Sequence, residues 1–77
     1  MTLAEALSIR VNKLLKDRGI TQYRLFKLSG VSQSTISDIR NMKNGTVNIK
    51  LIYGIAQGFG MSLKEFFDDP IFDDVTD

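Results

Sequence analysis

Twenty residues, Gln22 to Asn41, constrain this chain more than any others: QYRLFKLSGVSQSTISDIRN. Their apolar residues fall at helical intervals on either side of a glycine. Leu25 precedes it and Val31 follows. Ile36 and Ile39, three apart, share one helix face that can close on Leu25. Gly30 at the corner can take positive φ without a steric penalty, so one helix can stop and the chain can turn. Ser32 offers a hydroxyl as N-cap to the segment after the turn, and Thr21 to the segment before it. The pattern predicts two short helices, about 22–29 and 33–41.

The flanking sequence predicts three more helices and no strand. Over 3–18, Leu3, Leu7, Val11 and Leu14 recur at spacings of four, four and three, with Arg10, Lys13, Lys16 and Arg18 on the remaining faces. Thr2 and Glu5 form a capping box at its start, and Gly19 ends it. Ile20 is then expected to pack inward. Met42 to Val47 reads as a loop with an Asn-Gly turn signal. Asn48 caps a fourth helix, 49–58, whose buried stripe is read as Ile49, Ile52, Ile55, Ala56 and Phe59, with Gly60 as its stop. Ser62 and Glu65 form a second capping box, opening a short fifth helix with Leu63, Phe66 and Phe67. Pro70 ends any helix before it.

Seventy-seven residues make one all-α domain with a small core. Absence of cysteine excludes disulfides and thiolate metal sites. Absence of histidine removes the commonest general base and zinc ligand. An enzyme is not expected, no cofactor is called for, and no small-molecule ligand is evident. No apolar run reaches membrane-spanning length and no signal-peptide pattern opens the chain, which reads as cytoplasmic. The net charge of +1 conceals a division: residues 1–64 carry +7 and residues 65–77 carry −6. The basic body suits a polyanion. The domain is accordingly expected over 1–67, with 68–77 as an acidic tail.

Thr21-Gln22, Leu25, Gly30-Val31-Ser32-Gln33, Thr35-Ile36-Ser37 and Ile39 form a helix-turn-helix, and together they resemble the Cro/phage-repressor (XRE) family of DNA-binding domains. Ile49, Ile52, Ile55-Ala56 and Ser62 to Phe66 continue the likeness. The resemblance implies a five-helix bundle of the lambda-repressor-like type, and a sequence-specific regulator of transcription, most simply a repressor. Its third helix would lie in the major groove of double-stranded DNA. Carried over position by position, Gln33, Ser34, Ser37 and Asp38 become the base-contacting residues, with Gln33 foremost because its amide can pair bidentately with adenine. Gln22, Tyr23, Arg24, Ser32, Asn41, Lys43 and Asn44 become phosphate contacts, with Lys27, Asn48 and Lys50 as weaker ones.

The chain departs from the family in three places. An Arg late in helix 1 often pairs there with a Glu late in helix 3; Leu15 and Arg40 stand at those positions, leaving Arg40 free for solvent or phosphate. Phe26 replaces a small residue on the inner face of helix 2, and Val47 a proline before helix 4. An alternative function is a protein-interaction module on the same scaffold, including the antitoxin of a toxin–antitoxin pair. A homodimer, formed mainly on DNA, is expected to pair through helix 5, Ile71 and Phe72; the competing arrangement folds Ile71 and Phe72 back on helix 1.

Overall fold

The computed structural model describes residues 1–43 and 47–76. Five α-helices follow one another: α1 (Leu3–Arg18), α2 (Gln22–Ser29), α3 (Gln33–Arg40), α4 (Ile49–Gly58) and α5 (Leu63–Phe67). A 3₁₀ helix, Pro70–Asp74, closes the described chain. No strand occurs among the described residues. The Asn44-Gly45 turn signal lies outside them.

Each helix start is fixed locally. Thr2, Thr21, Ser32, Asn48 and Ser62 each accept a backbone N–H from three residues ahead. Glu5 and Glu65 complete the two capping boxes. Gly30 takes the left-handed conformation, φ 73°, at the corner between α2 and α3. Helix α3 stops at Arg40, one residue short of the expected end, and Met42 then holds a left-handed φ of 57°. Helix α4 stops at Gly58 with Phe59 as its cap, and Gly60 ends it as expected, in the left-handed conformation (φ 72°) with its N–H on the carbonyl of Gln57 at 2.9 Å.

The core joins Leu7, Val11 and Leu14 of α1 to Leu25, Ile36, Ile39, Ile52, Ile55, Phe59 and Phe66. Helix α2 packs on α4, and α1 on α3. The α2–α4 contact is close because α4 carries Gly54 and Gly58 on the side facing α2. A Cβ on Gly58 would stand 2.8 Å from Ser29 Cβ and 2.9 Å from Leu25 Cδ1. Two members of the expected apolar stripes lie outside this core. Leu3 is 44% exposed and Ile49 61%, each in the first turn of its helix. Met61 is buried in their stead. Ile20 packs against the core as expected. Phe26 sits half-buried at its margin, its ring 6.0 Å from that of Tyr23.

Arg10 is a larger correction. Expected on a solvent face, it is buried. Its Nε donates to the carbonyl of Phe66 at 2.8 Å, Nη2 to that of Glu65 at 3.0 Å, and Nη1 to Asp69 Oδ2 at 3.2 Å. A cation at a helix C-terminus meets both the unsatisfied carbonyls and the negative end of the macrodipole. The segment after Pro70 packs on α1, as in the folded-back arrangement. Phe72 lies 4.9 Å from Phe67 and 6.2 Å from Phe66, ring to ring, and Phe66 is fully buried. The N-terminal amine donates to Asp74 O and Met1 O accepts from Thr76 N, tying the two ends of the described chain together.

Two outcomes follow from this packing. Gly58→Ala adds about 1–3 kcal/mol of overpacking against about 1 kcal/mol of gained helix propensity. Urea unfolding should show a net loss of about 1 kcal/mol. The Asp69 carboxyl is held below its ordinary range, first by the Ile71 N–H it accepts, then by Lys13 and Arg10. A lowered folded value means that the unfolded chain binds the proton more readily. The stability Asp69 adds is therefore present above about pH 4 and lost as pH falls through the lower folded value. Asp69→Asn, which keeps the acceptor for Ile71, should flatten that part of the stability profile measured by thermal melts between about pH 2 and 5.

Candidate nucleic-acid interface

Helix α3 buries Ile36 and Ile39 and turns its opposite face outward. Ser34, Ser37 and Asn41 follow at spacings of three and four, which makes them one stripe along that face. Gln33 and Ser34 are exposed in the first turn, Ser37 is half-buried, and Asn41 and Lys43 are exposed beyond the helix end. Asn41 Nδ2 donates to the carbonyl of Ser37 at 2.8 Å and to its hydroxyl at 3.3 Å, joining the stripe's lower members. Asp38 lies off the stripe toward α1, bordering a small hollow lined by Ala4, Leu7, Ile39, Met42 and Val47. Asn44 lies outside the described residues.

The turn before α3 is built from short polar side chains. Ser32 Oγ accepts from Thr35 N at 3.2 Å and lies 2.9 Å from Thr35 Oγ1, as its donor, and 3.3 Å from Ser34 Oγ. Ser29 Oγ accepts from Val31 N. Tyr23 and Arg24 are exposed in the first turn of α2. Lys27 places its ammonium 5.4 Å from the Tyr23 ring and 5.5 Å from that of Phe26, within cation–π range of both. Asn48 is occupied as the α4 cap, while Lys50 is exposed beside it.

Gln22 and Arg40 do not stand free. Arg40 Nη1 donates to Gln22 Oε1 at 3.0 Å, and Arg40 Nε to Asn12 Oδ1 at 2.6 Å. Gln22 Nε2 donates to the carbonyl of Gln33 at 3.3 Å. Asn12 Nδ2 donates to Ser8 Oγ at 3.4 Å, and Ser8 Oγ donates to the carbonyl of Arg40. These bonds join α1, α2 and α3. Arg40, expected to face solvent or phosphate, is thereby half-buried and committed to neighbours, while Leu15 lies in the core. The signal available in the sequence was Ser8 and Asn12 at i and i+4, a polar pair on the same side of α1 as Leu15 at i+7.

A family model for the Cro/C1-type HTH DNA-binding domain matches residues 10–70. The chain belongs to this family. Over 61 residues it is 33% identical to the HTH-type transcriptional regulator PuuR of Escherichia coli (strain K12), and likewise to the protein of that name in Shigella flexneri. The match covers 79% of this chain and 32% of either relative, so the chain spans about a third of their length. No solved structure matches it. The span matched by the Cro/C1-type model takes in all of α2 and α3, Arg40 with its partners Asn12 and Gln22, and Arg10 with the carbonyls it caps. It ends on the first residue of the 3₁₀ helix. No three His, Cys, Asp or Glu side chains among the described residues are placed to hold a metal ion, and no helix is long and apolar enough to cross a membrane.

Proposed function

We propose that this chain is a sequence-specific regulator of transcription that binds double-stranded DNA with α3 in the major groove, and that it represses by occluding a promoter from within the cytoplasm. The observation that carries the reading is the outward face of α3. Gln33, Ser34, Ser37 and Asn41 offer amides and hydroxyls there, from a helix whose opposite face is locked into the core of a Cro/C1-type domain. Such short polar groups suit the donors and acceptors of base edges. In this reading Gln33, Ser34, Ser37 and Asp38 contact bases, with Asp38 the most peripheral. Gln22, Tyr23, Arg24, Ser32, Asn41, Lys43 and Asn44 contact phosphates. Selection from a random duplex pool should enrich one motif, and a pool without enrichment refutes the reading. Gln33→Ala should cost about 1–3 kcal/mol at one base position and relax preference there, whereas Lys43→Ala should weaken all sequences alike and lower the salt slope by about 1.

Homodimeric action belongs to the same proposal. One module of this size reads few base pairs, and two half-sites about one turn apart supply the specificity that one lacks. The aromatic cluster of α5 and the 3₁₀ helix is satisfied within its own chain, so the proposed pairing rests on the DNA rather than on that cluster. Sedimentation with a palindromic selected site should show two chains per duplex, and Phe72→Glu should lower stability without changing that ratio. One chain per palindromic site would remove the dimer from the proposal.

A further inference from the structure

Arg40 is the odd member of the α1–α2–α3 junction. It is half-buried, and its guanidinium meets only neutral acceptors, Asn12 Oδ1 and Gln22 Oε1; no carboxylate pairs with it among the described residues. A guanidinium has donors and no acceptor. It therefore fixes which end of each amide faces it. The oxygen of Gln22 must point to Arg40, so its nitrogen must point away. The second contact favours the same choice more weakly, as a longer bond between neutral groups: the Gln33 carbonyl only accepts, and it meets Gln22 Nε2 at 3.3 Å. Two neighbours of opposite polarity thus hold one orientation of an amide that would otherwise flip freely.

We infer that Arg40 is a positioning residue for DNA binding: by holding the Gln22 oxygen inward, it makes the first turn of α2 present an N–H donor, and no acceptor, to a phosphate. This rests on the DNA-binding reading and extends it. Gln22 Nε2 carries two hydrogens, and the Gln33 carbonyl takes one. The other remains for an anionic oxygen, beside backbone N–H groups of the same helix start. With the amide reversed, Oε1 would face that oxygen and repel it. A residue acting this way influences affinity through Gln22 and not through a phosphate of its own. Its removal leaves the count of phosphate contacts made by cations unchanged.

The test is a double-mutant cycle on the selected duplex, with Arg40→Met, Gln22→Ala and the pair. Arg40→Met is expected to weaken binding about tenfold in the native background and to have almost no effect once Gln22 is Ala. The salt slope should stay the same. Arg40→Lys, which keeps a donor, should recover part of the loss. Additive effects, or a slope lowered by about 1, would show that Arg40 touches phosphate itself and would overturn the inference. A second measurement needs neither DNA nor a variant. In NMR spectra of the native chain the Gln22 Nε2 protons should show through-space contacts to Gln33 and not to the Arg40 guanidinium. The reverse pattern overturns the inference even where Arg40→Met does not fold. Absence of selective DNA binding by the native chain refutes the DNA reading instead, and the NMR result still decides the orientation of Gln22.

Discussion

A bundle of short helices has an acute problem at its C-termini. Each helix leaves several carbonyls without an intrahelical partner, and in helices of five to ten residues these are a large share of the backbone. Here α1 answers for three of the other helices. Ser8 donates to the carbonyl of Arg40 at the end of α3, Arg10 to those of Glu65 and Phe66 at the end of α5, and Arg18 to that of Phe59 at the cap of α4. The longest helix is thus a rod along which the others are terminated. The two arginines also set positive charge against the negative ends of α4 and α5. Helix α2 alone stops without α1, through its glycine corner and the Ser29 hydroxyl.

This division assigns different tasks to the two kinds of helix end. N-termini are closed by side chains three residues away, so α2, α3 and α4 can each form a first turn from local sequence alone. C-termini draw on both: left-handed glycines turn the chain locally after α1, α2 and α4, while side chains of α1 reach across the fold to carbonyls at the ends of α3, α4 and α5. The α3 face that carries Gln33 and Ser34 is a first-turn feature, yet its tilt depends on the long-range bonds at Arg40, at the other end of the same helix. The close α2–α4 approach through Gly58 fixes the second boundary of that tilt by holding α2 against the core. The placement of the α3 face is therefore tied to packing several helices away.

The same distinction explains what could be read from sequence. The bounds of α1, α2 and α4 fall on the expected residues because caps and apolar periods are local. Leu25, Ile36, Ile39 and Ile55 are buried as their spacing required. What escaped was set by partners far along the chain. Arg10 looks like one cation among several on a helix until Glu65, Phe66 and Asp69 are placed beside it. Arg40 looks free until Asn12 and Gln22 arrive. Gly54 and Gly58 appear as weak helix formers, and only the nearness of Val31, Ser29 and Leu25 shows that a side chain at either would crowd its neighbours, more tightly at Gly58. Ile49 carries the right residue type at the right interval, yet it stands 61% exposed in the first turn of α4. Met42 stands where glycine is the usual left-handed residue, so α3 ends on a conformation its sequence does not announce.

Charge is sorted by the same rod. Ser8, Asn12 and Leu15 lie on one face of α1, toward α3; Arg10 and Lys13 lie on the opposite face, where both meet Asp69. The acidic segment is consequently fastened to α1 at two points: Asp69 meets Arg10 and Lys13 on the side away from Ser8 and Asn12, and the N-terminal amine ahead of α1 donates to Asp74 O. The carboxylate of Asp69 is thereby balanced by two cations of α1 itself, so part of the opposition between basic body and acidic end is resolved within the fold and not left to solvent.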